Sequence, residues 1–131
     1  MFKNLHEGLA LHKAGKLEDA KKIYQDLIIK NPNNFEIINL LGVIFLQQKK
    51  YKESIVLIKR AISINPNHHA LYNNLGVVYK ELQKYSKAID NFNKAIQLNS
   101  TYAEAYNNLG IVLKKKHNYE EAYKNYKESI K

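Results

Sequence analysis

The chain has 131 residues, 45% apolar and 25% charged. That is one soluble domain's worth of polypeptide, and no apolar run approaches the ~18 residues of a membrane-spanning helix. It has no cysteine, five glycines and two prolines, which excludes disulfide scaffolds, thiolate chemistry and a turn-rich all-β fold. The net charge is +9, yet Arg60 is the single arginine and successive 34-residue segments carry an even +2, +3, +2 and +2, whereas nucleic-acid surfaces favour arginine and concentrate charge.

The first sixteen residues contain Glu7 and His12 where a signal peptide needs an unbroken apolar stretch. We therefore expect no export signal and a cytoplasmic location. Residues of about 2–14 and 17–30 read as two helices, ended at Asn31-Pro32 because proline disfavours helix in the residue before it. The next pair is expected over 35–48 and 52–64, ended at Asn65-Pro66. The third spans 69–82 and 86–98. Its stripes are Leu71, Leu75, Val78, Tyr79 and Leu82, then Ala88, Ile89, Phe92, Ala95 and Ile96, at helical three- and four-residue spacing. It closes at Asn99-Ser100. A fourth pair is expected over 103–116 and 120–130, making eight helices and no strand.

These pairs are copies of one unit. Gly8, Gly42, Gly76 and Gly110 stand 34 residues apart. The same spacing aligns Leu17, Tyr51, Tyr85 and Tyr119. It aligns Ala20, Ser54, Ala88 and Ala122, and also Tyr24, Ile58, Phe92 and Tyr126. A glycine inside a helix costs roughly 1 kcal/mol relative to alanine. Four helices accept that cost at one position, which predicts a close crossing of each glycine against Ala20, Ser54, Ala88 or Ala122.

The pattern aromatic-x-x-Leu-Gly-x-x-Tyr, then Ala, then an aromatic four residues on, resembles the tetratricopeptide repeat. It is fullest in Tyr72, Leu75, Gly76, Tyr79, Ala88, Phe92 and Ala95, and nearly so in Tyr106, Leu109, Gly110, Tyr119, Ala122 and Tyr126. The resemblance covers the whole chain as one domain, 1–131, in four units: 1–34 (divergent, with Asn4 and Glu7 at signature positions), 35–68, 69–102 and 103–131. The last is truncated, without a capping helix. It implies an all-α superhelix, or solenoid, of helix-turn-helix repeats. It also implies a scaffold that performs no chemistry, needs no cofactor and holds a partner's extended or short helical peptide in a groove lined by the first helices.

On that resemblance the groove holds Asn39, Val43, Asn73, Asn74, Val77, Lys80, Asn107, Asn108, Ile111 and Lys114, with Leu5, Leu9 and Leu40 making its amino-terminal half apolar. The pairs Asn73-Asn74 and Asn107-Asn108 suit a clamp on peptide backbone, because a carboxamide donates and accepts at once. Similar repeats in O-GlcNAc-transferase-like proteins use asparagine where Asn74 and Asn108 stand. The cations of the chaperone-binding dicarboxylate clamp have no counterpart here. His6, His12, His68, His69 and His117 fall in no metal-binding spacing. Two other functions compete: a helical-repeat RNA binder, and the oligomerisation or substrate-recruiting arm of a larger enzyme. Tyr123, Tyr126 and Ile130 would form an uncovered apolar strip at the end of the fourth unit, which predicts self-association as a homodimer.

Overall fold

A computed structural model describes the chain from Asn4 to Ser129, with side chains to Lys127. Among the described residues there are seven α-helices and no strand: α1 (Leu5–Lys13), α2 (Leu17–Lys30), α3 (Phe35–Gln47), α4 (Tyr51–Ile64), α5 (His69–Glu81), α6 (Tyr85–Leu98) and α7 (Ala103–Ser129). Contacts group the chain into two compact units, Met1–Leu71 and Tyr72–Lys131.

Three turns inside the repeats are built alike. Gly15, Lys49 and Gln83 sit at φ 80°, 63° and 60°. The next amide reaches back five residues, Lys16 to Leu11, Lys50 to Phe45 and Lys84 to Tyr79, at 2.8–2.9 Å. This is the Schellman closure, in which one left-handed residue satisfies the last carbonyls of a helix. Only the first turn uses glycine. Lysine and glutamine tolerate the left-handed region less well, so packing of the following helix holds the other two turns.

In the second and third turns between repeats an asparagine side chain shapes the chain. Asn65 Oδ1 accepts from the Asn67 amide and Asn99 Oδ1 from the Thr101 amide, each at 3.2 Å. Serine at position 100 therefore leaves the turn intact, since the side chain one residue earlier shapes it. Asn34 caps α3 by accepting from the Glu36 and Ile37 amides, which satisfies two otherwise orphaned donors.

In the first unit the core is Ala20, Tyr24, Ile37, Leu41 and Ile44, joined by Leu5, Leu11, Leu17 and Leu27 from the flanking faces. A second cluster, Ile38, Ala61 and Leu71, ties α3 and α4 to the start of α5. In the second unit Leu75, Val78, Phe92, Ala95, Ala105 and Val112 are buried.

The glycines do a different job from the expected one. A Cβ built on Gly8 would meet the Tyr24 ring at 2.8 Å, on Gly42 the Ile58 Cγ1 at 2.8 Å and on Gly76 the Phe92 ring at 2.6 Å. Each notch admits a large side chain, four residues beyond the small residue anticipated as its partner. The small residue still lies close: the Ser54 hydroxyl donates to the Gly42 carbonyl at 2.7 Å.

The fourth pair differs from expectation. The sequence spacing predicts separate helices over 103–116 and 120–130, but α7 runs unbroken from Ala103 to Ser129. No glycine or proline occurs from Ile111 to Ser129. Lys116 and His117 also lie 4.0 and 3.8 Å from Glu120 and Glu121, one helical turn on. Local preference thus favours continuous helix through the expected turn. In the straight helix Gly110 has nothing within 4 Å of a built Cβ, so the expected crossing of Gly110 with Ala122 is absent.

Candidate functional site

The first unit holds a cavity of about 250 Å³ walled by Leu5, Leu9, Leu40 and Leu71, with Phe35, Glu36, Asn39 and His68 completing it. It forms because α1, α3 and the start of α5 each turn apolar side chains to one place. Leu9 is 42% exposed, and Leu5, Asn39 and Leu40 are half-buried. The His68 ring packs against Phe35 at 5.3 Å and stacks on His69 at 5.4 Å. Its Nδ1 is buried without a hydrogen-bond partner. A hydrophobic recess with a few convergent polar groups is the usual form of a ligand-accepting site.

The asparagines divide between interior and surface. Asn73 is fully buried and Asn108 is 9% exposed. The Asn108 carboxamide nitrogen donates to Asn73 Oδ1 at 3.2 Å, so this pair joins α5 to α7. Asn74 is half-buried and Asn107 exposed. Beside the pair, the Tyr102 hydroxyl donates to Glu104 Oε2 at 3.0 Å. Burial, and next the Glu104 hydrogen bond, push the Tyr102 pKa up to about 12. The phenol therefore stays a donor throughout the neutral range. The buried Asn73 Nδ2 lacks a well-formed bond of its own, and the Tyr102 oxygen is the polar group acting on it. Asn108→Ala removes the donor to the buried Asn73 Oδ1. We expect a loss of roughly 1–3 kcal/mol, the cost of an orphaned buried amide, read as a lowered denaturation midpoint.

The other groove candidates stand as follows. Val43, Val77 and Lys80 are half-buried, Ile111 is 39% exposed and Lys114 is exposed. Tyr123 and Tyr126 are 56% and 63% exposed, while Ile130 lies outside the described residues. Among the described residues no three His, Asp or Glu side chains gather where they could hold a metal. None of the described helices is long and apolar enough to cross a membrane.

Family models match most of these helices. One described as tetratricopeptide repeat covers residues 11–76, and one described as TPR repeat covers 78–117. The chain belongs to the tetratricopeptide-repeat family. Its fold class is accordingly the all-α solenoid of such repeats. No curated protein matches this tetratricopeptide-repeat chain in sequence. Among solved structures it is similar to MamA, with 25% identity over 99% of this chain and 75% of that one, at a TM-score of 0.75. It is also similar to the first TPR of Spaghetti (RPAP3) bound to the HSP90 peptide SRMEEVD, with 20% identity, coverage of 86% and 89%, and a TM-score of 0.80. A mutant O-GlcNAc transferase of Thermobaculum terrenum matches at 22% identity and a TM-score of 0.79, over 81% of this chain but 20% of the transferase. At these identities the last two likenesses are of fold alone.

Two features of this tetratricopeptide-repeat chain escaped the sequence. His12 bridges three helices: its Nδ1 lies 3.1 Å from the Tyr24 hydroxyl and its Nε2 2.7 Å from Gln47 Oε1. Gln47 Oε1 can only accept, so Nε2 carries the proton and Nδ1 accepts from the tyrosine. Neither Gln47 nor the Tyr24 hydroxyl is signalled by spacing, because the meeting depends on how α1, α2 and α3 pack. The Tyr102–Glu104 pair is not signalled by spacing either, since Tyr102 lies just before α7 and Glu104 in its first turn, and their meeting depends on how the chain enters the helix.

Proposed function

We infer that the chain is a cytoplasmic scaffold that holds a partner protein and performs no chemistry of its own. The partner enters as an extended or short helical peptide, and one of its apolar side chains fills the recess of Leu5, Leu9, Leu40 and Leu71. That recess carries the reading, because it stands on the first helices of successive repeats and combines an apolar floor with the polar groups of Glu36, Asn39 and His68. Glu36 favours a peptide with a cation beside the apolar anchor. The even spread of lysine supports protein rather than nucleic acid as the partner.

A randomised peptide library identifies the ligand, and titration calorimetry measures it. Leu9→Glu is the decisive variant. Leu9 is 42% exposed, so the change leaves folding intact. It also puts a carboxylate at an apolar contact, and we expect binding to weaken at least about tenfold, some 1.4 kcal/mol. Unchanged affinity would remove the recess from the site. An affinity for RNA that falls steeply with salt, without peptide binding, would replace the reading altogether.

A further inference from the structure

We propose that the second half of α7 is a dimerisation arm, which pairs with the same arm of a second copy running in the opposite direction and stacks Tyr123 on the partner's Tyr126. The helix carries one uninterrupted stripe. Leu109, Val112, Lys116, Tyr119, Tyr123 and Tyr126 follow one another at alternating three- and four-residue steps, which is the seam of a coiled coil. The seam exists because α7 is unbroken, since a turn would reset its phase. Its first half lies against the body of the second unit: Val112 is at 0% exposure, and Leu109 and Lys116 are half-buried. The body ends beside Tyr119, which borders a recess with Leu82, Gln83 and Tyr85. Beyond that point the same stripe runs on in water, with Tyr119, Tyr123 and Tyr126 at 68%, 56% and 63% exposure.

The edge of the seam says what covers it. Glu120 and Lys127 stand seven residues apart, on one edge of the tyrosine stripe. The Lys127 ammonium already lies over the Tyr123 ring, 5.4 Å from its centroid. An edge with one anion and one cation is complementary to itself when reversed. In an antiparallel pair that stacks Tyr123 on the partner's Tyr126, Glu120 faces the partner's Lys127 and Lys127 faces the partner's Glu120. The two contacts are identical about a twofold axis, as a closed dimer requires. Edge charges of this kind set the direction and register of paired helices. A slip of one heptad opposes Glu120 to the partner's Glu120, and a parallel mate opposes Lys116 to the partner's Lys116 within the seam. A lipid surface favours lysine and arginine around an apolar stripe and has no use for Glu120. We therefore commit to a second copy as the occupant.

The side chains suit the task. Glu120 lies 4.0 Å from Lys116 of its own helix, but such exposed pairs are weak, so the carboxylate is able to turn to the partner. A tyrosine ring buries in a seam while its hydroxyl reaches the wet rim. The sequence alone predicts that this end of the chain self-associates; the straight helix adds the direction, the register and the charges that fix both. The arm belongs to the second unit and the recess to the first, so either reading can fail without the other.

Sedimentation of the whole chain across a concentration series, at low salt, gives the test. We expect a monomer–dimer equilibrium. Glu120→Lys and Lys127→Glu each set like charges against one another across the axis, and each should weaken dimerisation at least about tenfold. Both positions are exposed, so helicity by circular dichroism should stay that of the unchanged chain. Mixed one to one, the two variants should pair as tightly as the unchanged chain, because opposite charges then meet at both contacts. A parallel pair, or one built on another face, gains nothing from mixing. A chain that stays monomeric to high micromolar concentration overturns the proposal. So does a dimer that neither variant weakens, or a mixture that pairs no better than its components.

Discussion

Gly76→Leu should lower stability by several kcal/mol and leave little folded second unit at physiological temperature. A single Cβ at this position already meets Phe92 Cε1 at 2.6 Å, Cδ1 at 2.7 Å and Cζ at 3.0 Å. Phe92 is at 0% exposure, so its ring has no free side to retreat to. Overpacking a tight core ordinarily costs about 1–3 kcal/mol per insertion and occasionally more, and leucine adds three further carbons. Chemical denaturation followed by circular dichroism measures the effect. Combining the change with Phe92→Ala should cost less than the sum of the two single variants, because the alanine vacates the space the leucine needs. Strict additivity would mean that the two positions do not share a contact.

Tyr24→Ala should cost about 3–5 kcal/mol, the usual result of deleting a buried aromatic ring. Tyr24 is at 0% exposure in the cluster with Ala20, Ile37, Leu41 and Ile44, and its ring fills the notch at Gly8. Tyr24→Phe separates the ring from its hydroxyl. That variant keeps the packing and loses the 3.1 Å contact with His12 Nδ1, at roughly 0.5–1.5 kcal/mol. If phenylalanine proved as damaging as alanine, the His12 bridge rather than the ring would hold α1 in place. Burial raises the pKa of this phenol above the ordinary tyrosine value, so the hydroxyl donates at neutral pH.

The helices and the 34-residue register were legible in the residues themselves. Apolar spacing, asparagine and proline at the turns, and recurring glycine are local signals, and the first six helices begin and end within about three residues of where those signals put them. The closing turn at Asn99-Ser100 was legible too, because asparagine alone makes it. Other outcomes depended on which faces meet. Spacing singled out Gly42 and Ser54, but only packing put Ile58 in the glycine's notch. The paired asparagines pointed to an open clamp. Burial instead joined Asn73 to Asn108 and left Asn74 and Asn107 nearer the surface, since neighbouring positions on a helix point about 100° apart. The recess of Leu5, Leu9, Leu40 and Leu71 draws on three helices, and no single segment of sequence contains it. In α7 two signals pull apart: the run without glycine or proline from Ile111 to Ser129 and the pairs Lys116–Glu120 and His117–Glu121 favour continuous helix, while the repeat register calls for a turn at His117. A turn with a left-handed residue needs tertiary contacts to hold it, and Gly110 has none within 4 Å of a built Cβ, so the tertiary structure follows local helix preference there and departs from the hairpin that the 34-residue register predicts.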